Sequence, residues 1–292
     1  MYKLTALLLA VMTSTASAED GAFSFSERVE AIASSDALKS AERHGRIVEL
    51  YQVEFGDRVL ARQVDTLRLQ MEGALTAAFY SKDRGIAREA AIVHRALATQ
   101  GALRETDTER VIASLIKARE FDWANALALE YGRPTLPPVK WEPGSDLKRE
   151  PKLIVVDDGT LKIGIPDGRR LRSGVVVVGN PLCGFSSAAG AAITNDPSLR
   201  VAFDGSLWLV PPEGQLHVRE VKQWNIDHAG QQMALAYDWL EWPEIDEWST
   251  PTFYFFADGK LVDKVIGWPL DGSRKPRLRQ AVKAWREAAG EP

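Results

Sequence analysis

The sequence predicts an all-α amino-terminal domain followed by an α/β carboxyl-terminal domain. Three observations carry this prediction. Residues 24–132 repeat apolar side chains at helical spacing, residues 133–150 contain four prolines, and residues 175–178 are consecutive valines. These patterns are typical of packed helices, of a linker, and of a strand that is buried on both faces. At 292 residues, the chain is long enough for two domains.

Composition and charge exclude several function classes. Hydrophobic residues make up 45% of the chain and charged residues 26%, which is an ordinary globular composition. The net charge of -4 shows no basic excess, so we expect no nucleic-acid partner. Cys183 is the single cysteine, which excludes an intrachain disulfide and any metal site that needs two thiolates from one chain. We therefore expect no metal site and no resident cofactor.

Residues 1–18 have the layout of a secretory signal peptide. Lys3 precedes an apolar run at residues 4–12, and small residues follow, ending in Ala16-Ser17-Ala18. This is the arrangement of a positive start, a short apolar region and an A-x-A cleavage site. The run is much shorter than the about 20 residues that span a membrane. We therefore expect export to a periplasm, an oxidising compartment, with no stable membrane insertion.

The helical domain is expected at residues 19–132, after the signal peptide. The first apolar stripe comprises Leu60, Val64, Leu67, Met71, Leu75 and Phe79. The second stripe comprises Ile86, Ala90, Val93 and Leu97. Thr106 and Glu109 have the spacing of a capping box, and Asp122 can cap a further helix. Two interpretations remain open, a bundle that covers the second domain and a concave surface that binds a partner.

The carboxyl-terminal domain is expected at residues 151–292, after the linker at 133–150. It begins with a predicted hairpin, in which two β-rich segments flank Asp158-Gly159. A buried strand at 174–180, a cysteine turn and an alanine-rich helix at 187–193 follow. Next come a strand at 207–210 and one long helix, which is predicted to carry Ile226, Met233, Tyr237 and Leu240.

The end of the chain is predicted to form a hairpin and a final helix. Strands at 252–256 and 261–266 flank a turn that contains Asp258-Gly259. The final helix carries Leu278, Val282, Trp285 and Ala289 on one face.

The order strand, cysteine turn, helix places Cys183 at the amino end of a helix. Unpaired backbone N–H groups and the helix dipole stabilise a negative charge there. Such a position lowers the pKa of a cysteine thiol. Because the thiolate is the form that attacks disulfides, the pattern indicates redox chemistry.

Residues 172–290 resemble the thioredoxin-like superfamily. Two motifs carry the resemblance, Pro181-Leu182-Cys183-Gly184-Phe185-Ser186 between a strand and a helix, and Thr250-Pro251-Thr252-Phe253 before a glycine-turn hairpin. The resemblance implies that Pro251 is a cis-proline facing the cysteine and that the backbone of Thr250 pairs with an extended substrate. The residues expected to border the substrate groove are Trp248, Gly267 and Trp268.

Ser186 stands where the family usually has its second cysteine. A serine hydroxyl cannot release a substrate from a mixed disulfide, so a self-contained dithiol cycle is excluded. We therefore predict a thiol-disulfide oxidoreductase or isomerase-like protein that acts through Cys183 alone. It would form a mixed disulfide with a protein or with glutathione, and Ser186 would hydrogen-bond the thiolate.

Two alternatives remain open. In the first, the domain is a redox-silent module that binds a protein partner, and Cys183 is a buried hydrophobe. In the second, Cys183-Gly184-Phe185-Ser186 matches the signature of monothiol glutaredoxins, which bind a [2Fe–2S] cluster together with glutathione. The lysine that precedes that signature is absent here, and an exported chain is a poor setting for such a cluster. We therefore favour the cluster least.

Overall fold

The computed structural model describes residues 24–35, 37–56, 63–145, 150–157, 159–166 and 172–290. The expected signal peptide at residues 1–18 lies outside the described residues, as do Leu60 and Asp158.

Helices make up the amino-terminal part of the described chain. They are α1 (Phe25–Ala33), α2 (Ser40–Phe55), α3 (Val64–Ser81), α4 (Arg84–Thr99), α5 (Asp107–Lys117) and α6 (Phe121–Glu130). The predicted stripes face the core: Leu67, Met71 and Leu75 are buried on α3, and Ile86, Ala90, Val93 and Leu97 on α4. Val64 and Phe79, at the two ends of the described part of the first stripe, are exposed instead. Among the described helices, none has the length and apolar character needed to cross a membrane.

The predicted caps of the later helices differ from those observed. Thr106 precedes α5, but its side chain makes no capping hydrogen bond. The Asp107 carboxylate instead accepts hydrogen bonds from the backbone N–H of Arg104, at 2.8 Å, and from the guanidinium of Arg68, at 2.5 Å. Asp122 lies inside α6, which begins at Phe121. The expected capping box therefore does not form, and the first residue of α5 makes a buried ion pair with Arg68.

The carboxyl-terminal part contributes a mixed sheet. Its strands are β1 (Val139–Trp141), β2 (Leu153–Asp157), β3 (Thr160–Gly164), β4 (Gly174–Val178), β5 (Ser206–Val210), β6 (Gln231–Ala236), β7 (Thr252–Ala257) and β8 (Lys260–Ile266). Within the described ranges the strand order is β1-β3-β2-β6-β5-β4-β7-β8. β4, β5 and β6 are parallel neighbours, whereas β7 pairs antiparallel with β4 and with β8. The chain is thus an α/β protein with a helical amino-terminal region.

Four helices accompany this sheet in the described chain. They are α7 (Gly184–Thr194), α8 (Pro197–Ala202), α9 (Val218–Asp227) and α10 (Lys275–Ala289). α7 and α8 connect β4 to β5, and α10 follows β8 and packs against it. β4 lies between β5 and β7, so its buried valines are inside the sheet. They lead directly into the cysteine turn.

The prediction of one long helix after β5 is wrong. α9 ends at Asp227, and Met233 lies in strand β6, with Tyr237 just after it. The indole N–H of Trp224 donates to the carbonyl of Gln231 at 2.8 Å, which closes the turn between helix and strand. β6 then pairs with β5 on one side and β2 on the other, so tertiary pairing overrides the helical spacing of the apolar residues.

The segment expected to be an irregular linker contains a short strand. β1 lies within residues 133–150 and pairs in parallel with β3, through Val139–Leu161 and Trp141–Ile163. The hairpin β2–β3 forms as predicted. Together these strands extend the sheet beyond β6.

Arg119 joins the helical part to the sheet. It lies between α5 and α6 and is buried, and its guanidinium donates to the carbonyl of Tyr237 at 2.7 Å and to that of Ala236 at 2.6 Å. Arg84 adds a hydrogen bond to the Tyr237 hydroxyl at 2.8 Å. These contacts place the start of α4 and the end of α5 beside the carboxyl end of β6.

Candidate thiol site

Cys183 occupies the N-cap position of α7, at the carboxyl end of β4. The turn that leads to it is fixed by Asn180, whose carbonyl accepts the Cys183 N–H at 3.0 Å and whose side-chain oxygen accepts the Leu182 N–H at 2.9 Å. The thiol is free and half-buried. The first turn of α7 therefore directs its unpaired N–H groups toward a sulfur atom that solvent reaches.

The loop before β7 lies across from this thiol. The Thr250–Pro251 peptide bond is cis, and the Cys183 Sγ lies 3.5 Å from the carbonyl oxygen of Thr250. The Pro251 carbonyl accepts the N–H of Gly267 at 2.8 Å. Gly267 has a φ of +77°, a conformation that favours glycine. The end of β8 thus holds the proline loop against the cysteine turn.

The surroundings of Cys183 lower the pKa of its thiol. Partial burial acts in the opposite direction and raises the pKa, but the polar groups near the sulfur outweigh it. They are the side chain of Thr250, the backbone N–H and hydroxyl of Ser186 and the backbone N–H of Phe185. The Thr250 carbonyl, by contrast, can accept a bond only from the protonated thiol. The site can therefore hold both protonation states, with the balance moved toward the thiolate.

Ser186 lies beneath the turn and is fully buried. Its hydroxyl oxygen accepts the backbone N–H of Asn180 at 3.3 Å. Gly179 is packed tightly in the same place, because a Cβ there would lie 2.7 Å from Cε3 of the buried Trp208. Ser186 and Gly179 thus tie the cysteine turn to the core.

The three expected groove residues have different environments. Gly267 supports the proline loop as described, and Trp248 is half-buried, two residues before Thr250. Trp268 is only 3% exposed and packs edge-to-face on Phe253, with ring centroids 6.2 Å apart. The expectation that Trp268 offers surface to a substrate is therefore corrected, because its ring is part of the core.

Two apolar side chains beside the thiol were not predicted from the sequence as part of the site. Leu182 is 60% exposed and Phe185 is 49% exposed, one on each side of Cys183 and Gly184. Their positions beside the N-cap of α7 could have indicated this exposure, because no other helix or strand covers side chains at the start of a helix. Exposed apolar groups that flank a reactive atom are typical of a surface that binds a protein or peptide.

The cysteine turn also contacts the loop that follows β5. The Asn180 side-chain amide donates to the Glu213 carboxylate at 3.2 Å. Next to it, Gly214 approaches α5 so closely that a Cβ would lie 2.9 Å from the Ala113 carbonyl oxygen. The loop therefore links the thiol site to the helical region. In the part of the chain that the structure describes, no three histidine, cysteine or acidic side chains are grouped to hold a metal ion.

Comparisons with protein-family models, with curated proteins and with solved structures find no match to this chain.

Proposed function

We propose that the carboxyl-terminal part of this chain is a thioredoxin-like domain and that the protein is an exported thiol-redox protein acting through Cys183. The single observation that carries the proposal is the position of the Cys183 sulfur. It lies at the start of α7, half-exposed and 3.5 Å from the Thr250 carbonyl oxygen. A sulfur atom so placed has N–H donors on one side and an extended loop on the other.

The arrangement of the strands supports the fold assignment. The two motifs of the resemblance lie on neighbouring strands, because β4, which leads into the cysteine turn, pairs with β7, which follows Pro251. β4 and β5 form a parallel pair connected through helices, and β7 and β8 form a hairpin followed by α10. The strands β6, β2, β3 and β1 enlarge the sheet on its other side.

The chemistry that this site supports is thiol–disulfide exchange. The Cys183 thiolate attacks one sulfur of a substrate disulfide, R–S–S–R′. A bond forms between Sγ and the R sulfur, the R–R′ disulfide bond breaks, and the R′ thiolate leaves and takes up a proton from water. Cys183 is thereby oxidised to a mixed disulfide, and the R′ sulfur is reduced.

Release requires a thiol from outside the chain, since Ser186 cannot form a disulfide. A second thiolate, from the substrate or from glutathione, attacks the R sulfur and expels Cys183 as the thiolate. The net reaction exchanges disulfides, as an isomerase does, and consumes no oxidant. A protein substrate fits the exposed Leu182 and Phe185 that flank the thiol.

The proposal is tested by trapping the mixed disulfide. The purified chain is incubated with oxidised glutathione or with a disulfide-bonded peptide, and intact-mass spectrometry measures the adduct. We expect one adduct per chain, lost in Cys183→Ser and retained in Ser187→Ala, because the hydroxyl of this neighbouring serine donates to the Cys183 backbone carbonyl at 3.4 Å. A chain that forms adducts no faster than free cysteine at neutral pH would contradict the proposal.

The second candidate function is a redox-silent module that binds a protein partner. The exposure of Leu182 and Phe185 favours it, because these side chains can bind a partner without any thiol chemistry. Cys183→Ala distinguishes the two functions. It abolishes activity if the thiol reacts, whereas a binding module keeps its partner affinity in Cys183→Ala and loses it in Phe185→Ser.

A further inference from the structure

A basic cleft lies between the helical region and the carboxyl end of the sheet. We use this name for the surface formed by Arg43, Tyr80, Lys82, Lys117, Trp239 and Trp248, around a cavity of about 330 Å³. A second cavity of about 380 Å³ shares Tyr80 and Lys117 with it and continues along α3 and α5. The two cavities are therefore adjacent, with Tyr80 and Lys117 on the border between them.

The cations of the cleft form no ion pair at contact distance with the described residues. Lys82 and Lys117 form neither an ion pair nor a side-chain hydrogen bond there; their ammonium groups lie over the rings of Trp239, at 4.1 Å, and Phe79, at 3.4 Å. Within the described ranges, the Arg43 guanidinium donates hydrogen bonds to the backbone carbonyls of Ala33 and Ser35 and to the hydroxyl of Ser40. The chain as a whole carries a net charge of -4, so this local excess of positive charge does not follow from its composition.

Several acidic side chains border the cleft. Asp238 acts on Lys82, and its carboxylate accepts the backbone N–H of Leu240 at 3.0 Å, while Glu30 lines the second cavity. Asp246 lies on the rim of the cleft but binds the ammonium of Lys264 at 2.8 Å and accepts a hydrogen bond from the Tyr254 hydroxyl. Glu213 accepts from the side chain of Asn180. The cleft thus has a positive charge that a ligand can neutralise and aromatic rings that can cover the ligand's apolar groups.

The backbone at Lys82 points to the same conclusion. Lys82 ends α3 in the left-handed conformation, with a φ of 58°, where glycine is the usual residue. A lysine here directs its side chain onto Trp239, inside the cleft. A residue in an unfavourable backbone conformation thus places a positive charge in this cavity.

We propose that the basic cleft binds an acidic peptide segment of a partner protein. Carboxylates of the segment contact Lys82, Lys117 and Arg43, and its backbone and apolar groups lie against Trp239 and Trp248. Trp248 is two residues from Thr250, whose carbonyl contacts the Cys183 sulfur, so a bound segment lies beside the thiol site. The inference goes beyond the proposed function, because binding requires no step of thiol chemistry.

The test uses fluorescence anisotropy with a defined probe. The probe is a fluorescein-labelled peptide of eight residues that contains four glutamates, and its control carries glutamines instead. We expect the full chain to bind the glutamate peptide at least about tenfold more tightly than the glutamine peptide. Equal binding of both peptides would overturn the proposal, since it would show an apolar groove without selectivity for charge.

Matched lysine variants assign the binding to the cleft. The double variant Lys82→Gln/Lys117→Gln is expected to weaken binding of the glutamate peptide at least about tenfold. Lys283→Gln, at a side chain that is 79% exposed on α10, removes the same type of charge elsewhere and leaves the affinity unchanged. If Lys283→Gln weakens binding as much as a cleft substitution does, the attraction is only general and the proposal fails.

The pH dependence gives a second readout. Burial and the charges of Lys117, Arg43 and Arg119 lower the pKa of Lys82 to about 7, against the opposing effect of Asp238. Burial lowers the pKa of Lys117 to about 8, against the effect of Glu213. The affinity for the glutamate peptide is therefore expected to fall as the pH rises from about 6 to about 9, because both lysines lose their charge. An affinity that does not change over this range contradicts the proposal.

Cys183→Ser separates this inference from the thiol chemistry. The variant is expected to bind the glutamate peptide with unchanged affinity while forming no mixed disulfide. Loss of peptide binding in a folded Cys183→Ser protein would show that the thiol site, and not the basic cleft, holds the peptide.

Discussion

Replacing Gly179 with alanine tests how the cysteine turn is attached to the core. A Cβ at this position would lie 2.7 Å from Cε3 and 3.2 Å from Cζ3 of Trp208. The Trp208 ring has no room to retreat, since it is fully buried and packs on Trp224, with centroids 4.8 Å apart, and on Phe253. Overpacking of this kind costs about 1–3 kcal/mol of the free energy of unfolding.

Gly184 is the matched control on the other side of Cys183. A Cβ there meets nothing within 4 Å, and the residue begins α7. Gly184→Ala is therefore expected to leave stability unchanged or to raise it by up to about 1 kcal/mol, because alanine favours the helix.

Urea denaturation followed by far-ultraviolet circular dichroism measures both variants. We expect a lower midpoint for Gly179→Ala, with the slope unchanged, and a midpoint at or above that of the parent for Gly184→Ala. Slower adduct formation at Cys183 is also expected in Gly179→Ala, because the displaced backbone leads directly into the cysteine turn. Equal midpoints for the two variants would refute the argument that Trp208 fixes this turn.

Three further predictions concern Arg119, Lys82 and Ser186. Arg119→Met removes the hydrogen bonds to the carbonyls of Ala236 and Tyr237, and we expect it to lower the free energy of unfolding by about 2–4 kcal/mol. Urea denaturation measures this loss, with Arg219→Met, at a side chain that is 94% exposed, as the control. Equal midpoints for the two variants would contradict the role of Arg119. The pKa of Lys82 is about 7 in the folded chain and about 10.4 in the unfolded chain. Between these pH values the unfolded chain binds more protons than the folded chain. The free energy of unfolding is therefore expected to rise with pH from about 7 to about 10.4. Lys82→Met is expected to reduce that rise, and an unchanged urea profile in the variant would show that Lys82 is not the source. Ser186→Cys is expected to form a disulfide with Cys183, measured by mass spectrometry as loss of both alkylatable thiols after oxidation, and two thiols that stay alkylatable would contradict the proposed turn geometry.

The cysteine turn and its surroundings were largely predictable from the sequence. The valines before Cys183, the alanines after it and the glycine turn after Pro251 are local signals, and each corresponds to an element of the structure. Such signals are strong because a buried strand, a helix start and a hairpin turn each restrict the residue types that fit.

Strand β6 was missed because its apolar residues also fit a helical pattern. Met233 and Tyr237 are four residues apart, and only pairing with β5 and β2 makes the segment a strand. β1 was missed for a related reason, since its three residues lie among prolines and gain their structure by pairing with β3. Pairing between distant segments leaves no local trace in a single sequence.

The basic cleft was equally invisible in the sequence. Lys82 follows α3, Lys117 ends α5, and Trp239 follows β6. They become neighbours where Arg119 and Arg84 bind the helical region to the end of β6. A charge cluster assembled from separate elements does not appear as a run of charge along the chain.

The most direct test of the central claim is the pH dependence of Cys183 reactivity. The rate of exchange with a small aromatic disulfide is measured from about pH 4 to about pH 10, with Cys183→Ser as the blank and free cysteine as the reference. The account predicts a rate that reaches half of its plateau below the pKa of free cysteine, because hydrogen bonds at the start of α7 stabilise the thiolate. A half-point at or above that of free cysteine, or a thiol that does not react until the chain unfolds, would contradict it.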